Sequence, residues 1–91
     1  SESKSLGYDL LGLKVENNPN SDDVLIIDIN KKSNAYEKNI RKGDSITEIG
    51  NEKINNIDIY TKVLENYTSG DAIMLRISNE NGARYEAFEI N

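Results

Sequence analysis

Apolar positions along this chain change their period several times, and each change marks an element. Leu6 to Leu11 and Leu13 to Glu16 read as two short extended segments meeting at Gly12. Val24-Leu25-Ile26-Ile27-Asp28-Ile29 is nearly continuous and β-branched, the pattern of a strand covered on both faces. Asn17, Asn18, Pro19 and Asn20 mark the loop between them. Ser33 is placed to cap a short helix over Ala35 to Lys38, and Asn39 tolerates the left-handed conformation that ends it. Gly43-Asp44 turns the chain into a strand from Ser45 to Ile49, and Gly50-Asn51 reverses it into Lys53-Ile54.

The period then lengthens. Ile57, Tyr60, Leu64 and Tyr67 recur at helical spacing and predict a helix from Ile57 to Tyr67 with one apolar stripe, closed by Gly70. Ala72 to Ile77 returns to strand alternation, and Asn81-Gly82 is the strongest hairpin signal in the chain, leading into Arg84 to Ile90. Five to six short strands with two helices make an α+β domain, a partly open antiparallel barrel or sandwich. No long-period repeat and no second core are present, so one domain is expected over residues 6–91, with polar Ser1 to Ser5 as a linker or an expression remnant.

Composition narrows the function classes. Ninety-one residues, 36% hydrophobic and 30% charged, suit one folded core without disulfide or metal staples. No apolar run approaches the roughly 20 residues of a membrane helix, so no membrane insertion is expected. A net charge of -5, with Lys31-Lys32 and Arg41-Lys42 set among acidic neighbours, disfavours nucleic acid as a partner. Histidine and cysteine are both absent, which removes Ser-His-Asp and Cys-His nucleophile systems and the usual zinc ligands. Asp22-Asp23 reads as a pair of solvated turn formers rather than an acid/base dyad. The chain is expected to be no enzyme, with no catalytic residue, metal or cofactor.

Three stretches carry a resemblance: Val24 to Ile29, Ser33-Asn34-Ala35, and Asn39-Ile40-Arg41-Lys42-Gly43-Asp44-Ser45-Ile46. Together they resemble the central run of a PDZ domain, where a strand leads through a Ser-Pro-Ala helix start to a Gly-(apolar)-x-x-Gly-Asp-x-Ile turn. Gly50-Asn51 and the later Ile54, Leu64 and Gly70-Asp71 also fall in place. The order of elements is similar to the bacterial, circularly permuted form, and the likeness is strongest to the second, C-terminal PDZ module of Do/HtrA serine proteases. It spans nearly the whole chain from about Leu6. Asn34 stands where the family often has Pro, Asn39 where Gly is usual, and Gly50-Asn51 reverses the usual order; all are turn-competent.

The resemblance implies a site. PDZ domains bind a partner's C-terminus by adding it as a strand to a sheet edge. A loop of the form x-Φ-Gly-Φ (Φ apolar) at the head of that edge presents backbone N–H groups to the terminal carboxylate. Leu10, Leu11, Gly12 and Leu13 fit that loop; Leu6-Gly7-Tyr8 also matches, and the first is preferred because Leu13-Lys14-Val15-Glu16 continues as an alternating strand. The peptide groove is expected between Val15 on that strand and Ile57, Thr61 and Leu64 on the longer helix, with Leu11 and Leu13 beneath the ligand's last side chain. Such a pocket favours a small or branched apolar C-terminal residue. Gly12 is expected at the rim with its amide outward, so that a branched side chain there blocks ligand and spares the fold. Tyr8 and Tyr67 are expected to pack with their hydroxyls in water.

Two functions follow from the resemblance. The first is a peptide-binding module that captures C-termini or hydrophobic tails of unfolded proteins for an attached periplasmic serine protease in protein quality control. The second is an assembly module whose groove is closed or unused and whose surface meets the protease domain and neighbouring subunits.

Overall fold

The structure, a computed structural model, describes residues 8–90. The expected domain start at Leu6 and the linker Ser1 to Ser5 lie outside the described residues. Along the chain run β1 (Leu13–Asn17), β2 (Val24–Ile29), α1 (Asn34–Glu37), β3 (Ser45–Ile49), β4 (Glu52–Lys53), α2 (Ile57–Leu64), β5 (Ala72–Asn79) and β6 (Gly82–Glu89). Every pairing is antiparallel, in the order β1-β2-β3-β5-β6, with β4 hydrogen-bonded to β3. The sheet is open, as the α+β reading requires, and β1 forms one of its edges.

Local chemistry explains the joints. Ser33 caps α1, its Oγ accepting from the Tyr36 N–H at 3.2 Å. Asn39 takes φ +65° and ends the turn that follows. Asn56 caps α2 by accepting from the Ile59 N–H at 3.0 Å. Asn34, where the family often has Pro, donates from Nδ2 to the carbonyl of Glu89 and so ties α1 to β6, a contact proline cannot make.

Several boundaries differ from the sequence reading, each for a physical reason. The segment before Gly12 is a turn rather than a strand, because the Gly12 N–H closes back onto the Asp9 carbonyl at 2.9 Å. α2 stops at Leu64; Tyr67 continues the stripe only through a single turn, its N–H donating to the Leu64 carbonyl, and packs half-buried against the core. β2 is not covered on both faces. Its register against β1 passes from Lys14↔Asp28 to Val15↔Ile26, so Ile27 is an extra, bulged residue and is 39% exposed. In the hairpin, Asn79 pairs with Gly82, which leaves Glu80-Asn81 as the turn, one residue earlier than expected. Asp22 is exposed, but Asp23 is buried: it accepts from Asn18 Nδ2 and Ser21 Oγ, each at 2.8 Å, and is no solvated turn former.

Candidate functional site

The loop that leads into β1 is built around one aspartate. Gly12 adopts φ +80°, which brings the chain round so that the N–H groups of Leu11 and Leu13 converge on the same oxygen, Asp9 Oδ1, at 2.8 and 3.0 Å. The Asp9 N–H donates to the Leu13 carbonyl at 2.9 Å. Both main-chain groups of Leu13 therefore meet Asp9, on the side of β1 that carries no further strand among the described residues. Behind the loop, the Asn30 N–H holds the Gly12 carbonyl at 2.8 Å.

Asp9 also reaches the helix. Its Oδ2 accepts from the Tyr60 hydroxyl at 2.5 Å. Burial pushes the Asp9 carboxyl above its ordinary 3.8, while the donors Tyr60, Leu13 and Leu11 pull it back down. Tyr60 is 2% exposed. Burial, and then the Asp9 charge, drive its phenol well above the ordinary 10.0. At the other end of β1, Asn17 Oδ1 accepts from the Ile57 N–H at 2.7 Å. The loop before β1 and the last residue of β1 are thus each hydrogen-bonded to α2.

The expected site residues lie on the loop, β1 and α2, and differ in burial. Leu10 stands exposed at the tip of the loop. Leu11, Leu13 and Leu64 are buried and belong to the core. Val15 and Ile57 are half-buried against that core and Thr61 is exposed. Gly12 is not at a rim: it is buried, and a Cβ built on it would lie 2.6 Å from the Cβ of Ser33, the α1 cap. The expectation that a branched residue there spares the fold is overturned.

Of the alternative loop, Leu6 and Gly7 lie outside the described residues. Tyr8 is half-buried and its hydroxyl donates to Asp28 at 3.2 Å rather than only to water. Sequence reasoning missed Asp9, Tyr60 and Asn17 as parts of the site. Asp9 carried a usable signal, since an aspartate two residues before an apolar turn commonly accepts that residue's N–H. Tyr60 carried none, because its stripe position looks like packing alone.

The arrangement offers an edge strand headed by two amides that both donate to one carboxylate oxygen, hydrogen bonds of the charge-assisted kind. Among the described residues no three His, Cys, Asp or Glu side chains gather as a metal site would need.

A family model described as PDZ domain matches residues 1–78. No curated protein matches the chain. Among solved structures, the fold is similar to a photosystem II D1 C-terminal processing protease, with TM-score 0.75 and 12% identity over 99% of this chain. This chain spans only 26% of that protease. It is also similar to the PDZ domain of a carboxy-terminal protease from Vibrio cholerae, solved in complex with a peptide, with TM-score 0.62, 18% identity and 88% of each chain covered. At such identities the likeness is one of fold.

Proposed function

The chain belongs to the PDZ family, and from that premise we propose that it is the peptide-binding module of a protease, taking extended C-termini with an apolar last residue onto β1. One observation carries the reading: the N–H groups of Leu11 and Leu13 already converge on a carboxylate oxygen at the head of an edge strand. That is the donor geometry a chain terminus needs. Leu10, Leu11, Gly12 and Leu13 form the carboxylate loop, and Val15, Ile57, Thr61 and Leu64 bound the groove. The apolar surface reachable beside Val15 and Ile57 would receive the terminal side chain and set the preference for a small or branched residue.

A protease as parent is supported by both solved relatives, whose names are those of C-terminal processing and carboxy-terminal proteases. Assignment to the second PDZ module of a Do/HtrA enzyme, the permuted order and a periplasmic setting rest on the motif resemblance alone. An assembly role is the second reading, favoured by Asp9 filling the loop. Peptide titration followed by amide NMR separates the two. Acetylated hexapeptides randomised upstream of a C-terminal Val, Leu or Ala are expected to bind as free acids in the micromolar range or weaker, since ordering a short ligand offsets much of its contact energy. Amidation should remove most of the binding and the shifts at Leu11, Gly12 and Leu13. Equal binding of acid and amide would rule out the carboxylate loop and leave assembly.

A further inference from the structure

Asp9 makes the contacts with β1 that an added peptide's last residue would make. Its N–H donates outward to the Leu13 carbonyl, as the first rung of strand addition, and its carboxylate takes the Leu11 and Leu13 amides. The remaining oxygen is held from the helix side by Tyr60. The Gly12 N–H is bound as well, by the Asp9 carbonyl. We infer that Asp9 is a ligand mimic carried in the chain itself, a competitor that occupies the carboxylate seat and must be displaced before a C-terminus docks. The inference rests on the peptide-binding reading and goes beyond it, because it says that the resting site is filled and names the residues that fill and hold it.

The physics of the exchange is direct. Two carboxylates cannot share one pair of amide donors, and a second negative charge entering beside Asp9 is repelled. The incoming terminus therefore replaces hydrogen bonds that already exist, and the gain is only the difference. Tyr60 sets how firmly the mimic is seated. It is a positioning residue: its hydroxyl reaches Asp9 Oδ2 and none of the loop amides in the described contacts. Next to Asp9 in the chain, the Tyr8 hydroxyl donates to Asp28, and Lys14 lies 5.9 Å from the Tyr8 ring.

The test uses the whole chain and the same hexapeptide pools as free acids and amides. Asp9→Ala empties the seat, and Tyr60→Phe loosens it while keeping the ring in the core. Each is expected to tighten free-acid binding, Asp9→Ala by about tenfold or more (1.4 kcal/mol or more), and to tighten amide binding less, since a neutral carbonyl is the weaker acceptor. In the wild-type protein, saturating free-acid peptide should also shift the Asp9 carboxyl carbon resonance as its amide bonds are lost. If Asp9→Ala does not fold, Tyr60→Phe and the carbon resonance still decide. Folded variants that prefer acid over amide but bind it no more tightly than wild type overturn the competitor and leave the peptide-binding reading standing. Variants that fold and never distinguish acid from amide overturn that reading itself.

Discussion

Gly12 does two jobs that one residue type can combine. Its φ of +80° turns Leu11 and Leu13 toward a common acceptor, and its missing Cβ leaves room for Ser33. Adding a side chain therefore strains the backbone by roughly 1–2 kcal/mol and forces Ser33 away, at an overpacking cost of about 1–3 kcal/mol. Gly12→Val is expected to lower the melting temperature by at least about eight degrees, taking roughly 4–8 °C per kcal/mol for a domain of this size. Gly43 is the internal control. It has φ +98° but nothing within 4 Å of a built Cβ, so Gly43→Ala should show the backbone cost alone. Thermal melts of both variants check this; equal losses would mean that Ser33 yields without cost.

Among the elements, α2 is where packing and site meet. Its stripe buries Tyr60 and Leu64, leaves Ile57 half-buried and exposes Thr61, so the expected groove face is divided between core and surface. Leu64→Ala is expected to cost about 2–5 kcal/mol through the cavity it leaves, read by denaturant or thermal unfolding. Thr61→Ala should stay within about 0.5 kcal/mol of wild type, as exposed positions do. A Leu64→Ala loss below about 1 kcal/mol would show that the helix relaxes onto the sheet instead of holding its place. β1 and the loop before it are bonded to this helix through side chains rather than ladder bonds, Asp9 to Tyr60 from the loop and Asn17 to the Ile57 N–H from the end of the strand.

For the whole molecule, Asp9 leaves a mark on the pH dependence of stability. Its folded value lies above the ordinary 3.8, chiefly because burial penalises the charged form. The folded state thus binds this proton more tightly than the unfolded chain does. The resulting stabilisation is fully present below the unfolded value and is lost as pH rises through the folded one. Wild-type stability minus that of Asp9→Asn should fall across the pH window just above 3.8 and then flatten. Urea unfolding at stepped pH reads the difference, in which the other carboxylates cancel. A difference that rises with pH there would mean that the Tyr60 and amide donors outweigh burial.

The sequence by itself determined most of the secondary-structure elements, because their signals are local. Ser33 and Asn39 mark the start and end of α1, the β-branched run Val24 to Ile29 marks β2, and Leu11-Gly12-Leu13 marks a tight entry into an edge strand. Only the tertiary structure decided what those glycine-loop amides hold. The Asp9–Tyr60 bond spans 51 positions, and Gly12 meets Ser33 across β1, β2 and the loops that follow them. Periodicity reports which face of an element is apolar. It cannot report which donor a buried carboxylate finds, and that depends on distances set when β1 and α2 pack together.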